Sequence, residues 1–127
     1  MAVREMKEPE ANAPEPLDVR TERFARAVRA FIRKLPRTVG NAEDVRQLVR
    51  SSGSVAANYI EANEAVSSKD FALRIKYCRK ESKESRLWLA LVDTRATAAL
   101  DAERATLIQE ANELKLIFAA IIRNHEK

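Results

Sequence analysis

The chain has 127 residues, 46% apolar and 33% charged, with two glycines, one cysteine and a formal net charge of +4. That is one domain's worth of chain, long enough to bury a core; the lone cysteine rules out an intrachain disulfide framework, and no apolar run approaches the ~18 residues of a membrane span. Nor does the N-terminus carry a continuous apolar stretch of signal-peptide type, so a soluble, cytoplasmic protein with no membrane association is expected.

Residues 1–17 hold three of the four prolines, at Pro9, Pro14 and Pro16, and almost no large apolar side chains. Such a segment cannot offset the entropy of ordering, and a disordered N-terminal tail is expected over 1–17, followed by one folded unit over 18–127. The folded part is poor in turn residues, which implies long helices with few, short connections and hence an all-α bundle.

Phe24, Val28, Phe31, Ile32 and Leu35 recur at the 3.6-residue period, with Arg26, Arg29, Arg33 and Arg37 on nearly the opposite side. The first helix thus has an apolar face and an arginine face, and Pro36 ends it. A solvated surface is the ordinary explanation of a charged stripe. Arginines read as lacking acidic partners four residues away point instead to an anionic partner.

Gly40-Asn41 reads as a connection, with Asn41 as N-cap of a second helix running to about Glu64. Its centre, Ser51-Ser52-Gly53-Ser54, is costly for a helix, since an interior glycine alone costs about 1 kcal/mol relative to alanine. The apolar pattern of Val45, Leu48, Val49, Val55, Ala56, Tyr59 and Ile60 nevertheless keeps its phase across it. Close packing by a neighbouring helix would account for small residues there; a loop splitting two short helices is the alternative.

Ser67, Ser68 and Asp70 form the next cap signature, opening a third helix over about Lys69 to Arg95. Phe71, Ile75, Cys78, Ser82, Ser85, Leu89 and Val92 make its main seam, small in the middle and suited to the small stretch of helix two. A second stripe holds Tyr77, Glu81, Glu84, Trp88 and Leu91, and between the stripes run Arg74, Lys76, Arg79, Lys80, Lys83 and Arg86. Asp101 reads as the N-cap of a fourth helix with Leu107, Ala111, Leu114, Phe118 and Ile121 inward, ending near His125.

The charge is uneven: residues 18–37 carry +5 and 67–96 carry +4, while 1–17, 38–66 and 97–127 carry −2, −2 and −1. If the two positive segments lie side by side, Arg26, Arg29, Arg33, Arg37, Lys76, Arg79, Lys80, Lys83 and Arg86 form a basic surface for RNA or another nucleic acid. Arg50 and Glu84 are ionisable residues in small or apolar stripes, so each needs a polar partner and the two could serve each other; Asn58 is grouped with them as structural. Tyr77, Trp88 and Leu91 have no obvious place once the main seam is buried, which marks them as candidate oligomer-interface residues. One histidine and one cysteine on different helices offer no zinc or thiol–imidazole set, no Glu-x-x-His motif serves a di-iron site, and no glycine loop cradles phosphate. No cofactor or metal is expected, and the protein reads as a non-enzyme.

The run Gln47-Leu48-Val49-Arg50-Ser51-Ser52-Gly53-Ser54-Val55-Ala56-Ala57-Asn58-Tyr59-Ile60-Glu61-Ala62, then Ser68-Lys69-Asp70-Phe71 and Cys78-Arg79-Lys80-Glu81-Ser82-Lys83-Glu84-Ser85-Arg86-Leu87-Trp88-Leu89, resembles the bacterial four-helix bundle family encoded in 23S ribosomal RNA intervening sequences. The resemblance covers about residues 18–127. It implies an antiparallel up-down-up-down four-helix bundle and a ring-shaped homopentamer. Many members have glycine after the Ala-Glu of helix two, where this chain reads Glu61-Ala62-Asn63. A distant branch serves diversity-generating retroelements and binds a reverse transcriptase; nothing here matches that branch closely. Two readings follow: an oligomeric bundle binding RNA or DNA, or a homo-oligomeric scaffold recruiting an acidic protein partner.

Overall fold

The apolar periods are realised as four α-helices in a computed structural model that describes residues 15–127. They are α1 (Leu17–Ile32), α2 (Val39–Asn63), α3 (Ser68–Leu91) and α4 (Ala98–His125). No strand occurs among the described residues. Of the tail expected over 1–17, residues 1–14 lie outside the described residues, whereas Glu15 pairs with Arg23 at 2.6 Å and Leu17 is already the first residue of α1.

The helix ends shift by a few residues from the sequence reading, each for a local reason. Thr38, extended in backbone, caps α2 by accepting the Asn41 N–H at 3.0 Å, so Gly40 and Asn41 lie inside the first turn and not in a connection. Asn41 instead points inward, only 3% exposed. Its Nδ2 donates to the carbonyls of Pro36 and Asp93, both at 2.9 Å, and its Oδ1 accepts the Asp93 N–H at 2.8 Å. One amide therefore ties the connection after α1 to the connection after α3.

Ser67 caps α3, its Oγ accepting the Asp70 N–H at 3.0 Å. The helix stops at Leu91, short of Arg95, because Val92 turns extended and Arg95 and Ala96 take left-handed φ values of 53° and 56°. That conformation costs a non-glycine residue about 1–2 kcal/mol. The Asp93 carboxylate, accepting the Arg95 N–H at 2.7 Å, and Arg104, donating to the Val92 carbonyl at 2.6 Å, hold the turn against it. Since α4 begins at Ala98, Asp101 sits in its first turn rather than at the cap, bonded to Thr94 Oγ1 and Arg104.

Each helix packs on its chain neighbours, and α4 closes back on α1; α1 and α3 are diagonal, as are α2 and α4, with their backbones held apart, and Tyr59 of α2 meets Phe118 of α4 across the core, ring centroids 6.2 Å apart. The pairs run in opposite directions. On α2 and α3, Ser51 meets Ser85 while Val55 meets Cys78; on α3 and α4, Ser68 meets His125 while Val92 meets Arg104. On α1 and α4, Arg20 meets Glu110 while Lys34, just past the end of α1, meets Glu103. These contacts, with connections at 33–38, 64–67 and 92–97, give an antiparallel up-down-up-down bundle. Phe24, Phe31, Leu48, Ile75, Leu89, Leu114 and Phe118 fill its centre.

The small stretch lies within one unbroken helix, and the most extensive contact of α2 as a whole is with α3. Ser51, Ser52, Ser82 and Ser85 are all fully buried, and Ser85 Oγ lies 3.0 Å from Ser51 Oγ. A buried hydroxyl needs a partner; Ser82 and Ser85 donate to the carbonyls one turn back, at 2.8 and 2.9 Å. Gly53 faces elsewhere. A Cβ there would lie 3.2 Å from Arg29 Nη2, so this glycine leaves room for an arginine of α1 rather than for α3.

Candidate nucleic-acid interface

With Ile75, Cys78, Ser82, Ser85 and Leu89 turned into the core, the 3.6-residue period carries Lys76, Lys80, Lys83 and Arg86 outward and sets Arg79, half-buried, at the edge of the helix. Lys76 pairs with Glu126 at 3.0 Å. Among the described residues Arg79, Lys80, Lys83 and Arg86 join no ion pair; the Lys80 ammonium stands 6.0 Å from the centre of the Tyr77 ring. The register of α3 on α4 brings Lys115, which the sequence reading passed over, level with Arg79.

The arginines of α1 lie elsewhere. Because α1 is diagonal to α3, the two positive segments do not lie side by side, and the single surface expected from them is corrected to two separate ones. Arg26 also has the acidic partner it was read as lacking: Glu22, one turn earlier, at 3.2 Å. Arg29 donates to the Ala25 carbonyl at 3.1 Å. Arg33 and Arg37 are exposed beside a cleft of about 290 Å³ whose apolar wall includes Ile32, Leu35, Pro36 and Val45. On the α4 side of α1 the charge is neutralised, since Arg20 bridges Glu110 and Glu113 at 2.7 and 2.9 Å and Lys34 meets Glu103 at 2.7 Å.

Arg50 does reach Glu84, at 2.8 Å, but it also holds Glu81 at 3.2 Å. The Arg50 side chain is 48% exposed and that of Glu84 36%. Their pair therefore belongs with surface ion pairs worth roughly 0.2–1 kcal/mol, not with buried ones. Glu81, at 9%, is the buried member, and its signal in the sequence was its place three residues before Glu84 on one helix face. Asn58 donates to the Ser54 carbonyl at 2.9 Å, within its own helix.

Burial pushes the Glu81 carboxyl above its ordinary value of 4.5, the Glu84 charge adding to this and Arg50 opposing it. The Arg50 hydrogen bond holds Glu84 below 4.5. The signs are opposite. Glu84 contributes stability that is present above 4.5 and lost as pH falls through its depressed value, whereas Glu81 favours folding most at low pH and loses that contribution as pH rises through its raised value. Glu81→Gln should therefore gain stability relative to the parent as pH rises from about 4 to about 7, read by urea unfolding at each pH. A constant difference across that range would show that Glu81 is not destabilised by ionising.

Of the residues expected at an interface between copies, Tyr77 and Leu91 are exposed on the outer face of α3, while Trp88 is half-buried and packs against the core, so it does have a place within one chain. Its Nε1 is buried without a hydrogen-bond partner among the described residues. His125 bonds the Ser68 hydroxyl at 2.8 Å and packs its ring 4.9 Å from that of Phe71, tying the end of α4 to the start of α3.

A family model described as 23S rRNA-intervening sequence protein matches residues 19–120. The chain is also similar in fold to the crystal structure of a protein with unknown function, from the S23 ribosomal protein family, of Bacteroides thetaiotaomicron VPI-5482. The TM-score is 0.72 at 23% identity, over 84% of this chain and 98% of that one. At that identity the likeness carries the fold alone. No curated protein matches the sequence.

Proposed function

The chain belongs to the 23S rRNA-intervening sequence protein family, and from that premise we propose that it is a non-enzymatic cytoplasmic bundle that binds nucleic acid, RNA foremost, through the cations of α3. The observation that carries this reading is the set Arg79, Lys80, Lys83 and Arg86, which share one helix with no ion pair among the described residues, while the cations of α1 that face α4 are neutralised. Free cations spaced along a helix attract phosphates without reading bases, so binding is backbone-directed and insensitive to sequence. The homopentamer implied by the resemblance would repeat this set around an axis, raising affinity through avidity.

The test is the salt dependence of binding to a labelled single-stranded RNA, followed by anisotropy from about 50 to about 300 mM salt. Replacing Arg79, Lys83 and Arg86 together with alanine should lower the slope of log K against log salt by about 2, at ~0.7 for each phosphate no longer neutralised. Replacing Arg33 and Arg37 should leave it unchanged. No binding by the parent protein at the lowest salt, or an unaltered slope in the triple variant, would sink the proposal. In that event an acidic protein partner becomes the better reading of the same cations.

A further inference from the structure

The chain leaves α1 at Ile32, crosses residues 33–38 and enters α2 at Val39. The cleft of about 290 Å³ lies where this crossing meets the first turns of α2. Ile32, Pro36 and Val45 are half-buried along it, beside the buried Leu35, so the fold covers these three apolar side chains on one side only. Arg33 and Arg37 stand exposed on the same cleft, and no side chain lining it is acidic. Lys34, between them in sequence, turns to Glu103 of α4 at 2.7 Å, whereas the two arginines join no ion pair among the described residues.

The lining selects what fits. Aliphatic walls take an apolar body, and the planar fork of arginine pairs with a carboxylate at two points. Ordinary ligand pockets hold about 300–1,000 Å³, so a cleft of about 290 Å³ seats one anchoring side chain of a larger partner rather than enclosing a cofactor-sized molecule. It offers no aromatic face on which a nucleobase could stack, and its one side-chain amide, that of Asn41, is already spent on Pro36 and Asp93. We infer that this cleft docks a short acidic segment of a partner protein. One leucine- or phenylalanine-sized side chain enters beside Ile32, Pro36 and Val45, and flanking carboxylates pair with Arg33 and Arg37.

The surroundings favour this occupant in two ways. The Asn41 bonds to the Pro36 carbonyl and to Asp93 fix the crossing before any partner arrives, so little ordering is left to oppose binding. In addition, α2 has no acidic residue in its first turn, which leaves the positive end of a 25-residue helix unneutralised beside the two arginines. The cations of α3 lie on a separate surface, so this docking and RNA binding are independent and either can fail without the other.

Amide NMR of the full chain tests it, by titration with an end-capped peptide in which one phenylalanine sits between pairs of aspartates. Shifts centred on residues 33–45 are expected. Replacing the phenylalanine with alanine should weaken binding about tenfold, the worth of burying one large apolar side chain. Replacing the aspartates with asparagines should weaken it severalfold, and less so as salt rises. Ala42 lines the cleft yet is exposed, so Ala42→Phe fills the cleft from the solvent side and should abolish binding while the circular dichroism stays helical. Arg33→Glu combined with Arg37→Glu should reject the acidic peptide and accept one with lysines for aspartates, which also shows that this variant folds. No shift at residues 33–45 with about 2 mM peptide, an alanine peptide that binds as well as the phenylalanine one, or an Ala42→Phe variant that binds like the parent would overturn the inference. The same shifts on adding single-stranded RNA, or on concentrating the chain alone, would overturn it too, naming nucleic acid or a second copy as the occupant. Replacing Arg79, Lys83 and Arg86 should leave peptide binding unchanged, so a failure here is distinguishable from a failure of the RNA reading.

Discussion

Asn41→Ala is expected to remove about 3 kcal/mol of stability, equivalent to a fall in Tm on the order of 10 °C. The side chain is 3% exposed and joins two connections by three hydrogen bonds, to the Pro36 carbonyl and to the Asp93 carbonyl and N–H. Truncation leaves all three backbone groups without that partner, and each buried orphan costs about 1–3 kcal/mol, less where water enters. The cap of α2 is untouched, since Thr38 accepts the Asn41 backbone N–H and not its side chain. Urea unfolding followed by helical circular dichroism measures the loss. A change below about 1 kcal/mol would mean that the connections hold together without the amide.

Ser85→Leu is the second large effect, expected at about 3 kcal/mol, with Ser85→Ala below about 1 kcal/mol. Ser85 is fully buried where α3 lies closest to the serines of α2, its Oγ 3.0 Å from that of Ser51. Three carbons in place of one oxygen, at ~3 Å from the facing helix, must separate α2 from α3 or force side chains off their rotamers. Alanine keeps the close approach and forfeits hydroxyl contacts, to Ser51 and to the Glu81 carbonyl. The order of the two variants is the informative result. Equal losses would assign the position to hydrogen bonding rather than to shape.

The inward faces were legible in the sequence, because a 3.6-residue period states which side of a helix is apolar. Phe24, Val28 and Phe31 on α1, Leu35 just after it, and Leu107, Ala111, Leu114 and Phe118 on α4 are all buried. The period does not state which neighbour covers that side. So the cations of α1 and α3 could be read as adjacent until the packing placed the two helices on a diagonal. Asn41 was misread for a different reason: Thr38 and Asn41 are both cap-forming residues three apart, and local chemistry alone does not decide which of them turns outward. For Arg50 the partner Glu84 followed from the need to pair a charge, whereas Glu81 depended on the register of α2 against α3. The Glu22–Arg26 pair was visible at its four-residue spacing and was simply outweighed by the run of arginines around it.

The lone cysteine gives the bundle a built-in clock. Cys78 is fully buried at the contact of α2 with α3, its sulfur 3.6 Å from the Val55 carbonyl, and burial pushes its thiol up to about 12. Since the thiolate is the reactive form, the closed bundle offers a labelling reagent almost nothing to attack near neutral pH. Modification must wait for α3 to lift from α2. The rate at which the thiol is consumed therefore reports how often that seam breathes, without any engineered probe, and at low reagent it scales with the open fraction while at high reagent it levels off at the opening rate itself.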